Sequence, residues 1–303
     1  MSTEPLPIER ETTGRFAGIV TVRLEQPGRP VVVLDAPLFH RLEETFRQIA
    51  REAGGIAGLV LASASERAFV AGADLKTVAE ASDDELDRYL FAGSRIFGML
   101  AIFPFPTVAA INGAALGGGL ELAMHCAGLV AAPSASGKPY PVGLPEAGLG
   151  ICPGWGGTNL LPARMDPAEA IRRAASGATI GFDEAVGFGL FDRVAPSPAE
   201  LLPSAKSWLL DEARVRGRSE RSTEPTRWIG RPDRAAGVLQ VLDALRLDLP
   251  ETGPARAVVE SVDAGLIRGW DEALRSERRS LIRLRHTPEA KSLIEAFFAK
   301  SRK

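Results

Sequence analysis

The stretch from Pro106 to Cys126, PTVAAINGAALGGGLELAMHC, constrains this chain more than any other. An apolar run, Val108 to Ile111, ends at Asn112-Gly113. Three successive glycines, Gly117, Gly118 and Gly119, then open an apolar helical pattern that carries a carboxylate, Glu121. The order predicts a buried strand, a tight turn and a helix whose first turn is almost free of side chains. Such a turn leaves backbone N–H groups uncovered at the positive end of the helix dipole, where a negative group can approach closely. Glycines at a strand-to-helix turn also serve close packing alone, and on this stretch both readings stand. No Gly-Lys-Ser/Thr follows, so it is not a P-loop, and the spacing is a poor dinucleotide fingerprint.

Read from its start, the chain alternates strand and helix patterns. After a polar tail (residues 1–14), Gly18 to Leu24 alternates like a strand and Val31 to Leu34 reads as another. Asp35 is a candidate N-cap for a helix with Leu38, Leu42, Phe46 and Ile49 on one face. Ile56 to Ala62 is a buried strand. The loop FVAGADLK (Phe69 to Lys76) follows; Ala71, Gly72 and Ala73 cannot shield their own amides, and Asp74 is placed to bond neighbouring N–H groups. Asp83 to Leu100 is an amphipathic helix, and Leu129 to Ala132 follows the glycine-rich stretch as another strand. Alternating strands and helices predict an α/β fold with parallel strands.

A second carboxylate, Glu146, stands among small apolar residues in GLPEAGLGICPGWGGTNLLP (Gly143 to Pro162), and a second glycine turn, Gly154 to Gly157, follows it. A carboxyl group in an apolar setting has a raised pKa and suits a general acid; an ordinary surface glutamate is the competing reading. Helices over Pro167 to Ala175 and Asp183 to Gly187 lead to Phe191–Pro196, the expected end of a core domain over residues 15–196. Residues 197–303 read as a helical C-terminal domain: Pro198 to Leu210, Ala235 to Leu245, and two helices in Ala255 to Lys300, with a charged loop from Arg214 to Arg234.

A net charge of -2 and a pI near 6.1 argue against capture of nucleic acid or membranes by charge. The two cysteines, Cys126 and Cys152, have no metal-ligand spacing and read as free thiols of a reducing compartment. MSTEPLPIERETTGR lacks the apolar core of a secretory leader, and no apolar run reaches bilayer length, so a cytoplasmic location is expected.

Taken together, FVAGADLK, INGAALGGGLE, Glu146 in GLPEAGLG and the turn PGWGGT resemble the enoyl-CoA hydratase/isomerase (crotonase) superfamily over roughly residues 15–196. The resemblance implies a spiral of β-β-α units, homotrimers or paired trimers, and an acyl-CoA thioester as ligand, with CoA part of the substrate and no separate cofactor. It further implies that the N–H groups of Ala73 and Gly118 hold the thioester oxygen, which agrees with the need for donors where enolate charge develops. Glu121 would activate water and Glu146 deliver a proton, making the chain an enoyl-CoA hydratase; an isomerase, which needs a single carboxylate near the Glu146 position, is the alternative. A non-catalytic acyl-CoA binder is a further reading that the carboxylate pair argues against. Ala71, Gly72, Asp74, Leu75, Gly117, Pro145, Gly154 and Trp155 are expected around the substrate.

Other residues remain open on sequence alone. His125, four residues after Glu121, reads as a core histidine rather than a metal ligand. Cys152 reads as a small buried residue, Trp155 as pocket wall or packing over the turn, and Lys76 and Lys138 as phosphate contacts or solvated charges. Ala127 stands where many family members carry Asp, and the Ser134 to Tyr140 loop is long for the family. Asp271 to Lys300 resembles the helical segment after the hydratase part of multifunctional fatty-acid oxidation enzymes, with no Gly-x-Gly-x-x-Gly following a strand. These helices are expected to cover the acyl pocket or to contact a separate dehydrogenase subunit.

Overall fold

The computed structural model describes residues 4–216 and 223–301. Its first strands are β1 (Ile8–Arg10) and β2 (Ile19–Leu24), followed by helix α1 (Ala36–Arg51). Asp35 caps α1 as expected, its Oδ1 accepting from Leu38 N–H at 2.9 Å. The expected polar tail thus contributes an ordered strand, because β1 pairs antiparallel with β2 and gives that edge of the sheet a partner. Val31 to Leu34 forms no strand. Only Leu34 bridges, to Ala73, with Leu34 N–H donating to Gly72 O at 2.9 Å.

From here a β-β-α unit repeats. The first is β3 (Gly58–Ser63), β4 (Ala68–Val70) and helices α2 (Leu75–Glu80) and α3 (Asp83–Ile102). The second is β5 (Thr107–Ile111), β6 (Ala114–Leu116) and α4 (Gly118–His125). The third is β7 (Gly128–Ala131), β8 (Pro141–Gly143), a 3₁₀ turn at Pro145–Leu149 and the short α5 (Gly157–Leu160). In each unit the first strand joins a six-stranded sheet, β1-β2-β3-β5-β7-β10, and the second joins a four-stranded one, β4-β6-β8-β9. The remaining elements of this part are α6 (Pro167–Ser176), β9 (Ile180–Gly181), α7 (Phe182–Gly187) and β10 (Arg193–Val194). Strands β2, β3, β5, β7 and β10 run parallel. Parallel strands need covered faces, and both are covered. Leu59, Leu61, Ala109 and Ile111 face the main core, while the alternating Val60, Ala62, Val108 and Ala110 face a second one.

That second core is closed by α8 (Leu201–Arg216), whose Leu201, Ala205, Trp208 and Leu209 are buried on the sheet. This helix lies beyond the expected boundary at 196 and covers a face of the sheet. The helix also takes the first residues of the expected 214–234 loop, of which 217–222 lie outside the described residues. Beyond come α9 (Pro232–Asp248), α10 (Gly253–Arg268), α11 (Trp270–Leu284) and α12 (Pro288–Ser301). Three helices occupy 253–301 instead of two, because Gly269, at φ 89°, breaks the run before Trp270. The C-terminal helices pack on the α/β part: α10 on α6, α11 on α3, and α12 on α2 and the Pro145–Leu149 turn. Among the described residues no helix is long and apolar enough to cross a membrane.

Candidate active site

The two glycine turns meet. Gly117 adopts φ 52°, a backbone conformation that costs other residues strain, and a Cβ there would lie 2.5 Å from Glu146 Oε1. At Gly118 a Cβ would come within 2.2 Å of the Trp155 ring. The triple glycine is thus where α4 is overlaid by the residues that follow β8. The other amide-rich loop is held by backbone bonds: Ala71 N–H to Val32 O (2.8 Å) and Asp74 N–H to Leu34 O (3.1 Å). Tyr89 adds a clamp, its hydroxyl donating to Leu34 O and accepting from Asp74 N–H. Asp74 itself caps α2, accepting from Lys76 N–H and from the Thr77 hydroxyl. The N–H of Ala73 donates to no acceptor among the described residues.

Between these parts lies a cavity of about 320 Å³. Ala71, Gly72, Ala73, Leu75, Gly117, Pro145, Gly154 and Trp155 line it, together with Glu121 and Glu146. Two expected residues do not: Asp74, turned to the cap of α2, and Gly118, buried behind Trp155. Sequence reading missed Val78, Leu90, Leu116, Leu149 and Ile151, ordinary apolar residues with no local signal. It also missed Leu281 and Phe297, with which α11 and α12 complete the wall. Among the described residues, Glu121 and Glu146 are the only ionisable side chains in this lining.

Glu121 is buried, and its Oε1 accepts from the N–H groups of Trp155 and Gly157, each at 2.8 Å. Burial drives its pKa well above the usual carboxylate value, the charges of Glu277 and Glu146 add to that, and the two N–H donors oppose it. Glu146 is partly buried, but its Oε2 is enclosed without a hydrogen-bond partner among the described residues. Loss of hydration, with the charge of Glu277 nearby, pushes this carboxyl up to about 8. A surface-glutamate reading of Glu146 is therefore excluded. The pair can hold one proton between them and titrate as a unit, which is what acid–base work on a neutral ligand requires.

The surrounding residues build this geometry. Trp155 both lines the cavity and packs over the turn: its ring meets Phe39, Tyr89 and Phe97 edge-on, with centroids 5.4–5.7 Å apart, and its indole N–H donates to Leu90 O. His125 is buried, and its Nε2–H donates to Trp155 O at 2.9 Å; burial lowers its pKa to about 4, so it is a neutral core residue supporting the turn. Cys152 is buried, its thiol directed at Glu277 O and its pKa raised by burial. Lys76 and Lys138 are exposed, Lys76 beside Glu80. Ala127 N–H donates to Thr107 Oγ1, and the buried Arg164 caps the end of α4 through the carbonyls of Met124 and Cys126. No group of three His, Cys, Asp or Glu side chains among the described residues is arranged to hold a metal ion.

Comparison with known proteins points one way. The family described as enoyl-CoA hydratase/isomerase matches residues 14–214. The peroxisomal fatty acid beta-oxidation multifunctional protein AIM1 of Arabidopsis thaliana is 32% identical over 286 residues, which are 93% of this chain and 38% of that protein. The chain thus spans little more than a third of that relative. Among solved structures, human mitochondrial delta3-delta2-enoyl-CoA isomerase superposes with a TM-score of 0.68 at 20% identity, covering 99% of this chain and 98% of that one. An enoyl-CoA hydratase from Bacillus halodurans gives 0.67 at 22%, covering 96% and 99%. One from Bacillus anthracis gives 0.57 at 26%, covering 98% and 97%. The first two likenesses establish a shared fold.

Proposed function

Because the chain belongs to the enoyl-CoA hydratase/isomerase family, we propose that it is a 2-enoyl-CoA hydratase. One observation carries the reading: two carboxyl groups, Glu121 and Glu146, and no other ionisable side chain line a cavity whose remaining wall is apolar. The thioester oxygen would accept from the N–H of Ala73, in the cavity wall, and from that of Gly118, which adjoins Gly117 of the wall, and both would stabilise it as it becomes an enolate. Glu121, gripped by two N–H groups that favour its anion, takes a proton from water as the oxygen attacks Cβ. Glu146, whose unpartnered Oε2 favours the protonated form, gives its proton to Cα. The proton gained by Glu121 then returns to Glu146 through exchange, and the product is a 3-hydroxyacyl thioester. The apolar lining supports a hydrocarbon acyl group.

Consumption of 2-enoyl-CoA thioesters of graded chain length, followed by loss of their conjugated absorbance, tests this. Glu146→Gln and Glu121→Gln should each lower turnover by about a thousandfold while acyl-CoA still binds. Full hydration by either variant would sink the mechanism. Double-bond migration that survives Glu121→Gln but not Glu146→Gln would instead favour an isomerase, since migration needs one proton carrier. With hydration goes a proposed partner: a 3-hydroxyacyl product calls for oxidation, hence a separate dehydrogenase. The homotrimer or hexamer implied by the family is likewise proposed, with sedimentation as its test.

A further inference from the structure

A third carboxylate stands behind the pair. Glu277, on α11, is fully buried and has the same turn in its grip as Glu121. Its Oε2 accepts from Gly156 N–H at 2.5 Å, and its Oε1 accepts from Thr158 N–H at 2.9 Å and from the Thr158 hydroxyl at 2.6 Å. Four successive N–H groups are therefore dealt out alternately: residues 155 and 157 to Glu121, residues 156 and 158 to Glu277. Among the described residues every hydrogen-bond partner of the Glu277 carboxylate is a donor, the pattern of an ionised carboxylate. It lies on the apolar stripe of α11, with Ala273 and Leu281 one turn to either side and both buried. A carboxylate in such a stripe was the signal the sequence offered.

We propose that Glu277 is a positioning residue for the two cavity carboxylates. It holds one side of the 155–158 turn so that the other side grips Glu121, and its donor-bound carboxylate places negative charge beside the pair. The inference rests on the acid–base roles proposed above. Burial raises the Glu277 pKa above the usual carboxylate value, and its three donors from Gly156 and Thr158 oppose that shift. The other ionisable groups around this centre are Glu121 on α4, Glu146 on the 3₁₀ turn, Tyr89 on α3, Cys152 and His125, with Arg283 further along α11. Tyr89 and Cys152 have raised pKa values and His125 a lowered one, so all three are neutral near pH 7. Loss of the Glu277 charge is thus felt by Glu121 and Glu146.

The test is Glu277→Gln, nearly the same shape without the charge. Carboxyl-carbon NMR, with the Glu146 signal identified by its loss in Glu146→Gln, should find Glu146 titrating lower than in wild type by about one pH unit. The alkaline limb of turnover should move down with it, and kcat should fall by about tenfold with KM little changed. Glu277→Asp, which keeps the charge, should restore most of the shift. An unchanged Glu146 titration in Glu277→Gln overturns the proposal, whatever happens to turnover. If Glu277→Gln does not fold, the wild-type curve decides: the Glu146 signal must show a second inflection where Glu277 takes up its proton, and a single step overturns the proposal. Failure of wild type to hydrate enoyl thioesters would sink the hydratase reading, while the titration still judges this one.

Discussion

At the scale of single residues, the pH behaviour rests on Glu146. Its folded-state pKa, about 8, lies above the ordinary 4.5, so the folded chain holds a proton that the unfolded chain gives up. That contribution to stability is complete below about 4.5 and is lost as pH rises toward 8. Denaturant titrations across this window should show stability falling with pH in wild type and a flatter profile in Glu146→Gln. Turnover should fall above about pH 8 for the same reason. Gly118 is the second test at this scale, because even Ala puts a Cβ 2.2 Å from the Trp155 ring. Gly118→Ala should cost about 1–3 kcal/mol in thermal unfolding and lower turnover by displacing the indole over the turn. A glycine-rich helix start exposed Glu121 to view and a run of small apolar residues exposed Glu146, whereas Glu277 acquired meaning only when α11 met the 155–158 turn.

Secondary-structure elements show which patterns were legible and which were not. The apolar runs at β3, β5 and β7 could be read because parallel strands are covered on both faces and read as near-continuous apolar runs. The second strand of each unit could not: β4, β6 and β8 have three residues each, too few to display alternation. Val31 to Leu34 has the composition of a strand and became a single bridge, since no full neighbour lies alongside. For α8 the lesson is packing: Trp208 is buried against Gly128, where a Cβ would come within 2.4 Å of its ring. Trp208→Ala should destabilise the chain by about 3–5 kcal/mol without changing chain-length preference, measurable by denaturant unfolding and the thioester series. Leu281→Ala or Phe297→Ala should instead shift preference toward bulkier acyl groups, because both side chains line the cavity, the buried Leu281→Ala also costing about 2–5 kcal/mol and the half-exposed Phe297→Ala less.

Across the whole molecule the C-terminal helices and the α/β part share one core. Val258 and Val262 of α10 and Leu281 and Leu284 of α11 belong to the same buried cluster as the strands, and Arg285 binds the carbonyls of Val78 and Ala81 at the end of α2. Truncation at Pro250 should therefore leave a chain that fails to unfold cooperatively and exposes apolar surface to a hydrophobic dye, rather than an intact smaller enzyme. An unchanged melting transition would disprove this. What the sequence determined by itself was local: which runs could be strands, where glycine left amides bare, and which carboxylates stood in apolar company. These follow from side-chain chemistry over a few residues. Tertiary structure alone decided that Glu146 lies over Gly117, that Glu121 and Glu277 divide four successive N–H groups, and that α11 and α12 close the cavity. Those facts join residues far apart in the chain, by 36 positions for Gly157 and Glu121 and by 121 for Gly156 and Glu277, and in a close-packed interior such meetings are set by how whole elements fit together, which no local pattern encodes.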